Sequence, residues 1–359
     1  MKAAIISMGS VSSEWTAKAM RKYFEEVDEI NLKEIEVNFS GKNSEVLYQG
    51  KDLGKYDCIY AKGSFRYAQL LRSIVSLLKG KAYIPIEESA YTIVHDKLLT
   101  QLRLQEFNIP MPRTYLSATT EAAKTLLERT KFPIIMKFPQ GTQGKGVMFA
   151  DSYASASSML DALSALKQPF IIQEFVETGG EDIRVMVIGD KAVVSMKRKA
   201  AENEIRSNIH AGGTGEIAKI DEYTKKVAVD TAKAMGVDIC GVDILYGVKG
   251  PQVIEANLSP GLQGITEATG IDVADLIAKY LYEQSVEFKN KGKKKDTADI
   301  MNELDTAKEG KTIIRPLDFR GVRVLLPEIA TKISGIKESD DVELKMENKK
   351  ITIEKFEVN

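Results

Sequence analysis

Histidine and cysteine are nearly absent from this chain, and the scarcity narrows its chemistry. Only His95 and His210 are present, so catalysis built on several imidazoles is excluded. The two cysteines, Cys58 and Cys240, lie in apolar, strand-like surroundings. They read as buried free thiols rather than a disulfide, in keeping with a reducing compartment. No apolar run reaches the length of a membrane span, and the N-terminus lacks a signal-peptide cleavage pattern. Met1-Lys-Ala-Ala-Ile-Ile-Ser7 reads instead as a first strand, and the expectation is a cytoplasmic protein. An excess of charge is missing too: 50 basic against 51 acidic residues leave a net charge of −1. That balance gives no global electrostatic reason to bind nucleic acid or a membrane. Repeats of solenoid period are also lacking.

What is present is an alternation of strand and helix long enough for two or three domains. Residues 1–92 read as an open α/β domain, with strands at Ala3–Ser7 and Cys58–Ala61 and helices at Ser13–Phe24 and Ala68–Lys79. Residues 93–180 open with a helix, Asp96–Phe107, which stops before Ile109-Pro-Met-Pro112. Strands at Pro133–Lys137, Gly146–Ala150 and Phe170–Val176 follow, with helices between them. Residues 181–288 carry longer strands, a helix from Glu222 to Met235 and a last helix from Val273 to Phe288. A lysine-rich stretch, 289–311, reads as a linker or a solvated helix. Residues 312–359 form a small strand-rich unit, of a size at which oligomerisation is usually needed for stability.

The chain is organised around Val253-Ile-Glu-Ala-Asn-Leu-Ser-Pro-Gly261. Glu255 and Asn257 are two residues apart on an apolar strand and so face the same way. Upstream, Gly241-Val-Asp-Ile-Leu-Tyr246 is a second apolar strand carrying one carboxylate, Asp243. A five-residue loop, Gly247–Pro251, would pair Tyr246 with Gln252 and bring Asp243 opposite Glu255. A four-residue loop would put the two carboxylates on opposite faces. Two carboxylates and one amide suit a hard divalent ion such as Mg2+, and nothing nearby supplies a thiolate or imidazole for zinc. The pair Glu255 and Asn257 alone is equally compatible with the solvent face of an amphipathic strand.

Other segments point to phosphate. Pro139-Gln-Gly-Thr-Gln-Gly-Lys-Gly146 joins two strands and offers glycine N–H groups that can approach phosphate closely. It is neither a P-loop nor a dinucleotide fingerprint, because the required Ser or Thr and the following helix are missing. A flexible flap over a nucleotide fits better, against the plainer reading of a glycine-rich turn. Lys137 ends an apolar strand, where an ammonium calls for an anion or for snorkelling to solvent. Lys97 is a second candidate cation, or an exposed helix lysine. Arg184, Lys197, Arg198, Lys199, Arg206 and His210, with Asn208, form a basic zone suited to a γ-phosphate and a carboxylate substrate. For Lys197 and Lys199 a solvated charged hairpin is preferred.

Together these motifs resemble the ATP-grasp fold, and within it the RimK-like α-L-glutamate ligase family. The motifs are Asp96-Lys97 with Ile109-Pro-Met-Pro112, Met136-Lys137 with the glycine loop, Gln173-Glu-Phe-Val176, Asp182-Ile-Arg184, Arg206-Ser-Asn-Ile-His-Ala-Gly-Gly213, Val242-Asp243, and Glu255-Ala-Asn-Leu-Ser-Pro-Gly-Leu-Gln-Gly264. The resemblance covers residues 1 to about 288. It implies an α/β and α+β protein with an N-terminal open α/β domain, a central ATP-grasp lid, a metal-binding ATP-grasp subdomain and a β-rich tail. By resemblance, Lys97, Lys137 and the loop glycines Gly141, Gly144 and Gly146 would contact ATP phosphates. Glu174 and Phe175 would form the adenine hinge, and Asp182 would hold the ribose. Arg206 would stabilise the transferring phosphoryl group beside Ser207 and Asn208. Asp243, Glu255 and Asn257 would bind Mg2+ or Mn2+, with two ions bridged by Glu255. Arg184, Ser259 and Gly261 would hold the carboxylate substrate. The implied reaction is ATP-dependent amide formation through an acyl phosphate, adding L-glutamate to a protein or small-molecule carboxylate.

The tail, Arg320-Gly-Val-Arg-Val-Leu-Leu-Pro-Glu-Ile-Ala330 and Ser334-Gly-Ile-Lys-Glu-Ser-Asp-Asp-Val342 with a final hairpin, resembles the swapped-hairpin AbrB-like barrel. That likeness implies a homodimer. Binding of DNA by the tail is opposed by Glu328, Glu338, Asp340, Asp341 and Glu343. The alternative function is a nucleotide-binding regulator whose tail recognises DNA or a partner.

Overall fold

The computed structural model describes all residues except 41–43, 142–145, 201–213, 305–317, 321–322, 327–329, 331–333, 338, 349 and 357–359, and for 292–304 and 318–320 it describes the backbone alone. The chain divides into two compact units, Met1–Lys289 and Asn290–Asn359.

The first part of the Met1–Lys289 unit runs β1 (Lys2–Ser7), α1 (Val11–Met20), β2 (Glu26–Asn31), β3 (Ile35–Phe39), β4 (Ser44–Tyr48), β5 (Lys51–Asp52), β6 (Cys58–Ala61), α2 (Ala68–Leu78) and α3 (Ala90–Ile93). β1 lies between β2 and β6, parallel to both. Its continuous apolar run, Ala3–Ile6, is what a strand covered on both faces requires. β3, β4 and β5 form a separate antiparallel meander.

The second part runs α4 (Lys97–Glu106), β7 (Thr114–Tyr115), α5 (Thr120–Glu128), β8 (Ile134–Lys137), β9 (Val147–Ala150), α6 (Tyr153–Ala165) and β10 (Ile171–Glu174). Its sheet order is β7-β10-β8-β9. Ala123 and Leu127 of α5 and Ala156 and Leu160 of α6 bury Ile134, Met136 and Ile172 in a core of their own. The third part runs β11 (Glu181–Ile188), β12 (Lys191–Lys199), β13 (Thr214–Ile217), α7 (Glu222–Met235), β14 (Ile239–Gly247), β15 (Gly250–Asn257), α8 (Gln263–Thr269) and α9 (Val273–Leu304). Its antiparallel sheet has the order β13-β12-β11-β14-β15 and shares one large core with the N-terminal sheet. Asp221 caps the start of α7, and Gly236, left-handed at φ 70°, ends it. α9 continues past Phe288 to Leu304, so the front of the expected linker is helical. The second unit holds two hairpins, β16 (Asp318–Arg320) with β17 (Arg323–Leu325) and β18 (Val342–Glu347) with β19 (Lys350–Lys355). Among the described residues no helix is long and apolar enough to cross a membrane.

The hairpin β14–β15 departs from the expected loop. Tyr246 pairs with Pro251 and Gly247 with Gly250, leaving a two-residue turn at Val248 and Lys249. Continued without interruption, that register would set Glu255 against Val242 and turn its carboxylate into the core. A bulge intervenes: Ile244 pairs with Val253, but Asp243 pairs with Glu255, so Ile254 is the extra residue. The carboxylates share a face for this reason, and not through a five-residue loop.

Candidate functional site

One face of the five-stranded sheet gathers the charged groups. Arg184 on β11 pairs with Asp243 on β14, which pairs with Glu255 on β15, and Gly241 pairs with Asn257. Directly opposed residues of antiparallel strands project to the same side, so the register delivers Arg184, Asp243, Glu255 and Asn257 together. Arg184 grips Asp243 with both arms, Nε to Oδ1 at 2.8 Å and Nη2 to Oδ2 at 2.7 Å. Asn257 Nδ2 lies 3.5 Å from Asp243 Oδ2. Arg198 donates to both oxygens of Asp182 at 2.6 Å and reaches Asp243 Oδ2 at 3.0 Å. Arg198 and Asp182 are 2% and 6% exposed. The ribose role that the resemblance implies for Asp182 would need this pair to open.

The two central carboxylates are set apart by their neighbours. Burial works against ionisation of Asp243, but Arg184 and Arg198 outweigh it and hold the group at about 2. Glu255 has no such clamp. Burial and the adjacent Asp243 charge raise its pKa, with Lys97, Arg184 and Lys137 offsetting part of the rise. A half-buried acid beside an ionised one, with an amide next to it, is the donor set a hard cation would relieve. Among the described residues no cluster of three His, Cys, Asp or Glu side chains exists, and the third donor here is the amide of Asn257.

The other wall comes from the four-stranded sheet. Lys137, the last residue of β8, donates to Gln173 Oε1 at 2.7 Å. Gln173 in turn donates to Thr114 Oγ1 at 2.9 Å. The anion expected for Lys137 is thus replaced by a neutral amide, with Glu255 close enough to interact. Burial, reinforced by Lys97, brings the Lys137 pKa down to about 8. Asp96 caps α4 by accepting from Leu98 N and Leu99 N. Lys97 then ties the helix to the base of the glycine loop, its N to Pro139 O at 2.8 Å and its Nζ to Gly141 O at 3.0 Å. Gly146 sits at φ +78°, with Phe138 where a Cβ would lie. At the expected hinge, Phe175 packs edge-on against Phe149 and Glu174 meets Lys249 at 3.1 Å. Gly247 lies where a Cβ would come 2.7 Å from Val176. The turn of the carboxylate hairpin is therefore seated on the segment that follows β10. β15 is fixed further by Val253 N to Pro110 O at 2.8 Å.

Ser259 and Gly261 follow Asn257 in the loop before α8, and Pro260 between them packs on Gly241. Arg206, Ser207, Asn208 and Gly144 lie outside the described residues. Of the basic zone, Lys197 bridges Glu216 at 2.8 Å and Lys199 is exposed. Arg198, expected in the basic zone for a γ-phosphate and a carboxylate substrate, instead pairs with Asp182 and Asp243. It falls in phase with Val194 and Met196, the inward positions of β12.

Solved structures of ATP-grasp ligases share this architecture. A superposition on the ATP-grasp ligase PsnB with its minimal precursor has a TM-score of 0.63 at 18% identity, covering 79% of this chain and 98% of that one. A RimK domain protein from Sphaerobacter thermophilus gives 0.61 at 17%, covering 78% and 99%. The model of the RimK-like ATP-grasp domain matches residues 94–281. Among relatives by sequence, a probable alpha-L-glutamate ligase of Shewanella loihica is 38% identical over 259 residues, 71% of this chain and 86% of that protein. One of Vibrio cholerae is 35% identical over 286 residues, 78% and 95%. The chain belongs to the RimK-like ATP-grasp family of ATP-dependent ligases.

Proposed function

We propose that the protein joins the amine of L-glutamate to an acceptor carboxylate, using ATP and passing through an acyl phosphate. The relatives named as probable glutamate ligases support the amino acid. The observation that carries the chemistry is Glu255, a half-buried acid with raised pKa set beside ionised Asp243 and within reach of Lys97 and Lys137. The acceptor carboxylate would attack the γ-phosphorus and ADP would leave with the bridging oxygen. The amine nitrogen would then attack the acyl carbon, phosphate would depart with the electrons of the C–O bond, and the amine proton would pass to solvent. Mg2+ or Mn2+, held by Asp243, Glu255 and Asn257 and supplied as two ions in the fuller form of this reading, would neutralise phosphate charge.

The chain's own side chains have positioning roles. Lys97 and Lys137, with Gly141, Gly144 and Gly146, would bind the phosphates. Glu174 and Phe175 would carry the adenine, and Asp182 the ribose. Arg206 would act on the transferring phosphoryl group beside Ser207 and Asn208. Arg184, Ser259 and Gly261 would hold the carboxylate. Such sites accelerate by positioning and charge neutralisation, without a protein nucleophile. ADP release is measured with ATP, Mg2+, L-glutamate and a panel of acceptor carboxylates. Nucleotide binding with no glutamate-dependent ADP would overturn the reading and favour a regulatory protein.

We also infer a homodimer formed by the C-terminal unit. In β18–β19, Val342, Leu344 and Met346 face the same way as Ile351 and Ile353, while Glu343, Lys345 and Glu354 take the other side. Leu344, Met346 and Ile351 are exposed, and an isolated two-stranded hairpin is marginal in water. A second copy would cover this face.

A further inference from the structure

β6 carries a cation to its C-terminal end that the site described above does not use. Cys58–Ala61 is buried throughout, and Lys62, the next residue, is 2% exposed. Its N donates to Ile6 O at 2.8 Å, and its ammonium lies 5.3 Å from the Tyr60 ring centroid. Burial pushes its pKa down to about 8 with no charged neighbour contributing among the described residues. A carboxylate partner would have raised it. An ammonium buried at this depth without an acid is costly unless an anion arrives.

Its position says which anion. In the order β2-β1-β6 the chain leaves β1 toward β2, while β6 leads through α2 to a parallel bridge between Cys58 and Tyr83 on its other edge, and open α/β sheets bind ligands at the carboxyl ends of adjacent strands whose connections part in this way. Lys62 ends β6 there, beside Ser7-Met8-Gly9-Ser10 and the first turn of α1. That turn is tied to the phosphoryl-transfer side of the molecule. Ser12 Oγ donates to Gln263 Oε1 at 2.8 Å and accepts from Leu262 N at 2.9 Å. Pro260 of the same loop packs on Gly241, the partner of Asn257. Tyr60, two residues before Lys62 on the same side of the sheet, is close to Cys240 of β14. Cys240 alternates with Gly241 and Asp243 along β14, so it is the Ser12–Leu262–Pro260 connection that joins the loop beside the end of β6 to the carboxylate strands.

We propose that Lys62 seats a substrate carboxylate that does not react, holding its owner so that the reacting group meets the Asp243–Glu255 face. This rests on the ligase reading and adds to it a positioning residue, one that holds a substrate carboxylate without touching the reacting atoms. Two sources share that chemistry, the incoming amino acid and the acceptor, and the test separates them.

The full-length protein is titrated calorimetrically, with Mg2+ and a non-hydrolysable ATP analogue present, against L-glutamate and against N-acetyl-Glu-Glu, which has carboxylates but no free amine. Lys62→Met should weaken one probe by about ten- to a hundredfold, the loss of a charged hydrogen bond, and leave nucleotide affinity unchanged. The probe that weakens identifies the owner. The thermal midpoint of this variant should equal or exceed that of the wild type, because an uncompensated ammonium has gone. Lys62→Gln gives the same comparison should the methionine variant fail to fold. Equal affinities in variant and wild type overturn the inference, as does wild-type protein that binds neither probe. ADP release separates it from the ligase reading. Glutamate held through Lys62 without ADP formation sinks the ligase alone, and ADP formation with unchanged KM for both probes in the variant sinks the Lys62 site alone.

Discussion

Replacing Arg198 with methionine should destabilise the Met1–Lys289 unit by about 3–5 kcal/mol at neutral pH, the cost of removing one partner from a buried ion pair. The side chain volumes are similar, so little of the loss would come from a cavity. What disappears is the guanidinium whose Nε and Nη2 sit 2.6 Å from the two oxygens of Asp182, with Nη2 3.0 Å from Asp243. Asp182 would be left without this partner at 6% exposure, while Asp243 would keep Arg184. In the wild type Asp243 is held at about 2, below its unfolded value of about 3.9. Its contribution to stability is thus present above about 3.9 and lost as pH falls through about 2. In the variant Asp243 loses one of its two arginines and should protonate at higher pH in the folded state, so the gap between the two proteins should narrow as pH falls through about 3.9. Urea unfolding followed by the fluorescence of Trp15, the chain's one tryptophan, reports on this unit. Adding Asp182→Asn to the variant should recover about 1–2 kcal/mol by removing the charge that Arg198 had faced. A gap below about 1 kcal/mol, or one that does not change with pH, would refute the electrostatic account.

Three further outcomes follow from the same geometry. Glu255→Gln should lower ADP release by at least about a hundredfold, on the scale of a lost transition-state contact; its thermal midpoint should hold or rise, because a like charge beside Asp243 is removed, and retained turnover would end the cation assignment. Lys137, brought down to about 8, loses its charge as pH rises past that value; the KM for ATP should climb between pH 7.5 and 9, and Lys137→Arg should flatten the profile. Glu at both Leu344 and Met346 should turn a dimer into a monomer by light scattering while ADP release per chain persists; an unchanged mass would remove β18–β19 as the contact.

Most strand positions were legible because each rests on a local pattern. Cys58–Ala61 and the helix Glu222–Met235, with Gly236 as its stop, coincide with their expected limits. β2, Glu26–Asn31, was missed because charge interrupts its apolar residues and its pairing with β1 is non-local. The carboxylate hairpin was legible in its result but not in its cause. Glu255 and Asp243 do share a face, through a bulge at Ile254 that no residue in Val253-Ile-Glu255 announces. Arg198 and Lys62 expose a different limit. Lys137 drew attention as a lysine ending an apolar strand, and Lys62 ends Cys58-Ile-Tyr-Ala61 in the same way, but only burial and partners separate a solvated lysine from an enclosed one.

The arginine pairs also say what ligand binding must change. Asp182, Arg198, Asp243 and Arg184 form a chain of two negative and two positive groups, balanced without any ligand. Glu255 stands outside that balance and leans on Lys97 and Lys137, which are the phosphate candidates of the opposite wall. A nucleotide that drew those lysines toward its phosphates would leave Glu255 less compensated, so anion and cation should favour each other's binding. A cation at Asp243 would compete with Arg184 for the same oxygens and loosen its two-armed grip. Arg184 would then be available to a substrate carboxylate only once the cation had arrived. Binding order follows from that competition: acid affinity measured without Mg2+ should be weaker than with it, and Arg184→Lys, which cannot make the two-armed contact, should reduce the difference.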